Sequence, residues 1–175
     1  MREDSYGGFW RRAMAFFIDK IILFFTSLFI LFIGMLALSM SFLSHYREML
    51  PERFEELTIT FVAIYLLMTV FISMFYFTYF HGAAGQTPGK MILGLKVVQT
   101  TGEQMTFGLA FLRWVGYVIS AVVFYLGFIW IAFDAKKQGW HDKIAGTVVI
   151  RVRNIVDGPA YAPDEKGLDK EGDFL

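Results

Sequence analysis

Three stretches of this chain, 21–42, 57–80 and 114–133, run for about twenty residues or more without an Asp, Glu, Lys or Arg. A bilayer core of about 30 Å takes roughly 20 apolar residues at about 1.5 Å rise each, so each run is long enough to cross it. Buried helices of water-soluble domains are seldom this long. With 20 Phe, 56% hydrophobic residues and a mean hydropathy of +0.51, the chain has more apolar surface than 175 residues bury in one soluble core. Arg11 and Arg12 precede the first run as the basic start of a signal peptide would. That run is far longer than a signal core of about 7–15 residues, and it reads as a retained anchor.

Charge and cysteine content narrow the chemistry. A formal net charge of zero argues against nucleic acid as a partner, because phosphate binding needs an excess of Lys and Arg. Without cysteine there is no disulfide framework, thiol nucleophile or cysteine metal ligand. His45, His81 and His141 are the only histidines, and none stands at metal-motif spacing. No metal, cofactor or catalytic residue is expected, and an enzyme is not the expected class.

Along the chain, Phe9 and Trp10 supply the amphipathic rings found at membrane interfaces, and a first helix is expected over 10–43. It exceeds one crossing, so its first turns lie at the interface or it tilts. Segment 44–56 has Arg47 and Arg53 against Glu48, Glu52, Glu55 and Glu56, with Pro51 as a breaker, and is expected as an outside loop. A second helix is expected over 57–80. Segment 81–106 is broken by glycines and Pro88, contains a β-prone run at 95–99 and a turn at 100–103, and is net positive. Segment 134–153, with five basic and two acidic residues, is positive as well. Positive loops belong in the cytoplasm.

Three full crossings would put 134–153 on the side opposite the N-terminus, against its charge. A second β-prone run at 146–152 can pair with 95–99 only on one side of the membrane. Segment 107–133 is therefore expected to enter and leave from the cytoplasmic face as a re-entrant or interfacial pair of short helices, hinged within 116–127; a single third span is the alternative. Its hinge backbone must be packed in protein or wetted. Segment 154–175, with six acids against two bases, is expected to be a disordered tail, leaving 1–153 as the membrane domain. The expected fold class is an all-α membrane protein with two long transmembrane helices, a third apolar segment and a small cytoplasmic β element. No internal repeat is visible, so transport would call for a homo-oligomer.

Arg12 and Asp19, seven residues apart, fall within about 20° on one helix but about 10.5 Å apart along it, so each needs a partner from another element. A carboxylate inside the membrane costs about 2.5–3.5 kcal/mol on insertion scales, which points Asp19 toward another helix or water. The alternative makes Asp19 an interfacial acid with Lys20 snorkelling beside it.

Phe9-Trp10-Arg11-Arg12, Phe17-Ile18-Asp19, the stretch from Gly85 to Lys90 reading GQTPGK, the run 94–98, Leu112-Arg113 and the stretch from Gly139 to Asp142 leading into 145–149 occur in an order that resembles the RDD family of membrane proteins. The family takes its name from an arginine at the start of the first helix and two aspartates, one inside that helix. Arg12 and Asp19 match the first two; Asp142 is carried over as the second aspartate, with Asp134 as its substitute. The resemblance implies the fold more than a role. Transport of an undefined ligand, and sodium/proton antiport in some members, are what it suggests.

The stretch containing Gln86 and Lys90 lacks the glycine spacing of a phosphate loop and is expected to be a structural turn, with Lys90 facing headgroups. His141 and Asp142 could form an acid/base pair, or Asp142 could be a capping acid that holds the final strand. Arg113 has the same difficulty as Asp19, since an unpaired guanidinium in apolar surroundings is costly. Arg12, Asp19, Arg113 and Asp142 are therefore expected to form one polar cluster at the cytoplasmic end of the bundle, with Asp134, His141, Lys90 and Gln86 as secondary candidates. The expected function is a small oligomeric inner-membrane transporter or exchanger of a cation or proton, with Asp19 titrating in a wet cleft. The alternative is a non-transporting binding or assembly protein with a cytoplasmic partner. A third class, contact with membrane lipids through Lys90, Arg113, Lys136 and Lys137, is compatible with both.

Overall fold

The computed structural model describes residues 6–45 and 51–152. The first two charge-free runs become the cores of two long helices, α1 (Phe9–His45) and α2 (Pro51–Ala84). At about 1.5 Å per residue each is over 50 Å long, more than the hydrocarbon core requires, so their charged ends extend past it. They pair antiparallel. Asp19 meets Tyr76, the Ser27 hydroxyl lies 2.6 Å from that of Tyr65, and the Phe42 and Phe54 rings stand 5.5 Å apart. Gly34 lets Phe61 lie flat on α1, where a Cβ would collide with the ring. Along its most apolar stretch each helix is left almost bare by the other described residues, and Phe24, Phe25, Phe29 and Phe32 are each more than 60% exposed. Such surfaces belong in lipid.

Two boundaries differ from expectation. Pro51 starts α2 instead of breaking a loop that runs to residue 56, so Arg53, Glu55 and Glu56 are helical residues; proline's fixed φ and missing N–H suit a first helical turn. The part of the expected outside loop at 46–50 and the expected acidic tail at 154–175 lie outside the described residues. Gln86 and Lys90 do not sit in a plain turn either. A short helix α3 (Pro88–Ile92) starts there, with Thr87 accepting a hydrogen bond from the Lys90 amide and Pro88 following it.

After α3 the chain forms β1 (Leu95–Gln99), which pairs antiparallel with β2 (Thr147–Arg151), Val97 facing Val149. The pairing expected between 95–99 and 146–152 is thus present. Tyr6 bridges Ile150 on the far side of β2, and the Gly7 amide donates to the Val149 carbonyl, tying the start of the chain to the sheet. Leu95, Val97 and Val149 pack with Ala15, Met105 and Ala110 into the main apolar core, so α1, the sheet and the next helix meet there.

That next helix, α4 (Phe107–Val122), is capped by the Thr106 hydroxyl and followed by α5 (Leu126–Ile129) and a 3₁₀ turn (Trp130–Ala132). The two halves bend by 111°. Phe124 and Tyr125 make the corner with φ of 50° and 59°, the left-handed region that non-glycine residues rarely enter. The Tyr125 amide donates to the Ser120 carbonyl across the bend. The bent pair agrees with the hinge expected within 116–127. α4 hides a polar and small-residue stripe, Arg113, Gly116, Tyr117 and Ser120, at helical spacing. Gly116 admits the backbone of α6 (Trp140–Ile144): a Cβ there would lie 2.6 Å from the His141 Cα.

Candidate functional site

The end of α1 nearest the sheet meets α4 and α6 around one carboxylate. Asp142 occupies the third position of α6 and accepts the Gly139 amide at 2.8 Å, which fixes the first turn of that helix. The same Oδ2 accepts from Arg12, while Oδ1 pairs with Arg113 Nη1 at 2.6 Å. Arg12 also donates to the Lys137 carbonyl at 2.5 Å and to His141 Nε2 at 3.2 Å. Arg113 reaches Thr147 on β2 and, at 3.3 Å, the Tyr117 hydroxyl. Arg12 is 5% exposed, and Arg113 and Asp142 are wholly buried. Such charges persist only when paired and hydrogen-bonded. Burial alone would push the Asp142 carboxyl up, but the Arg12 and Arg113 guanidiniums outweigh it and hold it well below the usual carboxylate range. Asp142 is ionised at neutral pH. Burial holds His141 well below its ordinary value against the pull of Asp142, so its ring is neutral and its Nε2 accepts from Arg12.

The polar chain continues. Lys90 Nζ lies 3.4 Å from the Tyr117 hydroxyl that Arg113 also contacts, and 2.6 Å from His81 Nε2. His81 Nδ1 sits 2.8 Å from the Phe77 carbonyl and must donate to it, which leaves Nε2 as the acceptor for the lysine. Lys90 is 6% exposed, so the headgroup-facing position expected for it is wrong: α3 packs on α1 and points Lys90 inward. Burial lowers its pKa. Arg12 and Arg113 thus share one carboxylate, and Lys90 joins them only through the Tyr117 hydroxyl.

The expected four-residue cluster is only partly formed. The structure joins Arg12, Arg113 and Asp142 and places Asp19 apart from them. Asp19, 1% exposed, accepts from the Tyr76 hydroxyl at 2.8 Å, the Thr87 hydroxyl at 2.5 Å and the Gly89 amide at 2.8 Å. It fastens α3 to α1. Gly89 is required there because a Cβ would strike the Ala15 carbonyl. Gln86 is a strut whose side-chain amide donates to the Leu95 carbonyl. Asp134 holds a surface turn, accepting the Lys136 and Gln138 amides and pairing with the half-exposed Lys143 at 2.6 Å. The capping and cluster roles considered for Asp142 coexist in one side chain.

His81, Tyr117, Tyr76 and Thr87 complete the network and were not singled out from the sequence. Thr87 could have been: a Thr-Pro pair is the signature of a helix cap followed by its first residue. The others are hydroxyl and imidazole groups inside apolar runs, where nothing in the spacing separates them from core residues.

Beside the network lies a cleft of about 470 Å³ between the first turns of α1, Tyr117 of α4 and the α5 segment. Phe9, Phe16, Phe17, Tyr125 and Phe128 form its aromatic walls, and Arg12, Lys20, Lys90 and His141 supply its polar atoms. Among the described residues no carboxylate lines it.

These features define a small helical membrane protein whose buried arginine–aspartate knot joins a helical hairpin to a sheet and a bent helix pair. The chain belongs to the RDD family, whose model matches residues 6–146. It is 39% identical over 150 residues to the uncharacterized protein YxaI of Bacillus subtilis (strain 168), covering 84% of this chain and 98% of that one. The uncharacterized membrane protein YteJ of the same organism is 32% identical over 152 residues, covering 83% and 81%. A proline-rich antigen homolog of Mycobacterium tuberculosis (strain CDC 1551 / Oshkosh) is 37% identical over 75 residues, covering 42% of this chain and 31% of that one. No solved structure matches.

Proposed function

We propose that this protein is a non-enzymatic membrane-embedded binding protein that takes an anionic, partly apolar ligand into the cleft beside the knot. The charge of the cleft carries this reading. Its walls combine aromatic rings with Arg12, Lys20 and Lys90; Asp142 touches both buried guanidiniums, while the buried Lys90 meets only His81 and the Tyr117 hydroxyl. An unbalanced positive charge in a low-dielectric site is relieved by an anion. Cation or proton exchange through Asp19 has less support, because two fixed hydroxyls and a backbone amide already occupy its oxygens.

For the protein in neutral detergent, saturating hexyl phosphate at about ten times its Kd is expected to raise the melting temperature by roughly 3–6 °C. Hexyltrimethylammonium is expected to leave it unchanged. Stabilisation by the cation, or by neither, would contradict the reading.

The proposed membrane is a bacterial-type inner membrane, with the sheet end in the cytoplasm. That end carries Lys96, Lys136, Lys137, Lys143 and Arg151, as positive-inside orientation requires. The chain has no cysteine, so Thr101→Cys at an exposed position of the turn after β1 provides a clean probe. It is expected to react with an impermeant maleimide only when the cytoplasmic side is opened; labelling of intact cells would invert the topology.

A further inference from the structure

A second groove, of about 680 Å³, runs between α1 and α2 and shares Phe17 and Lys20 with the cleft. From Phe17 to Ser27 it follows α1 over ten residue steps, about 15 Å at about 1.5 Å per step. That is half of a hydrocarbon core of about 30 Å, the depth of one leaflet. Its sides are Ile21, Leu23, Phe24 and Ile72, with Ser27 and Thr69 toward the far end. Lys20 is exposed where the two spaces meet, its ammonium 5.2 Å from the centre of the Phe16 ring. A cationic pocket thus opens into an apolar trough one leaflet deep, with an exposed lysine at the junction.

We propose that the ligand is an anionic phospholipid of the surrounding bilayer. Its phosphate is held at Lys20 above the Arg12 and Lys90 floor, and one acyl chain lies in the groove between α1 and α2. This rests on the anion reading above and adds the source and the second contact. Lys20 gives the phosphate a first electrostatic contact at the interface, and the aromatic walls take the glycerol end. The groove keeps the chain in hydrocarbon, so the lipid needs no extraction from its leaflet. Charge complementarity favours this occupant over a second copy of the protein, whose apolar helix would leave Lys20 unanswered.

The test compares phosphatidylglycerol with phosphatidylcholine of identical chains, added to the full-length protein in neutral detergent and followed by native mass spectrometry. One phosphatidylglycerol per chain is expected to be retained in preference to phosphatidylcholine. Lys20→Gln should weaken it about fivefold, the worth of one interfacial lysine. Ile21→Trp and Ile72→Trp, which fill the groove from opposite helices, should each displace phosphatidylglycerol while leaving the stabilisation by hexyl phosphate intact, since a six-carbon chain does not need the groove. If both groove variants hold phosphatidylglycerol as the native chain does, the lipid inference is overturned, whereas the anion reading stands or falls on hexyl phosphate alone. Equal retention of the two lipids, displacement of phosphatidylglycerol by millimolar inorganic phosphate, or a dimer that either groove variant dissolves without changing lipid retention would each overturn it too.

Discussion

Asp142→Ala is expected to lower folding stability by about 3–5 kcal/mol, because removing one partner of a buried ion pair leaves the other charges uncompensated. Here two guanidiniums lose their carboxylate at once, and the Gly139 amide loses its acceptor at the start of α6. At about 2–4 °C per kcal/mol for a chain of this size, the melting temperature should fall by roughly 6–20 °C. Arg12→Met or Arg113→Met alone should do less, since the remaining arginine still faces Asp142. Replacing all three charges with apolar residues, as Arg12→Met, Arg113→Met and Asp142→Leu together, should recover most of the loss, because the desolvation penalty of the ions disappears with their attraction. A triple variant no more stable than Asp142→Ala would mean that the residues matter through shape and hydrogen bonding rather than charge balance.

Asp19→Ala is the second large effect. It strips the acceptor from the buried Thr87 hydroxyl and Gly89 amide and from the Tyr76 hydroxyl. Each buried donor left without a partner costs about 1–3 kcal/mol, so a loss of at least about 2 kcal/mol is expected. The damage should be local. α3 is anchored to α1 at this point, and Lys90 depends on α3 for its place beside His81 and Tyr117. Amide exchange should therefore accelerate across 85–93 before the α1–α2 seam responds. Exchange that accelerates uniformly, or a stability equal to the native chain's, would refute the anchoring role of Asp19.

Much of this architecture could be read from the residues because a bilayer imposes strong rules. Charge-free runs of bilayer length located α1 and α2, and the conflict between three crossings and two positive segments pointed to the bent pair around Phe124 and Tyr125. The strand pairing came from two β-prone runs required on one side. Arg12, Arg113 and Asp142 could be grouped because isolated charges in apolar surroundings must find each other. The same logic groups Asp19 with them, yet Asp19 binds two hydroxyls and a backbone amide instead, which satisfy a carboxylate equally well. No charge rule distinguishes those outcomes. Lys90 departs from expectation for a related reason: a lysine beside a glycine-rich turn looks like a surface residue until the α3 cap, visible in Thr87 and Pro88, rotates it inward.

The arrangement stands on the coupling between Arg12 and Asp142, which are 130 positions apart in sequence and joined in one ion pair. A double-mutant cycle on Arg12→Ala and Asp142→Ala, read as unfolding free energy in a single detergent, measures that coupling directly. The expected result is a double variant less damaged than the two single losses added together, by at least about 1 kcal/mol. Losses that add to within about 0.5 kcal/mol would show that the two side chains do not interact, and the knot at the base of the cleft would not exist.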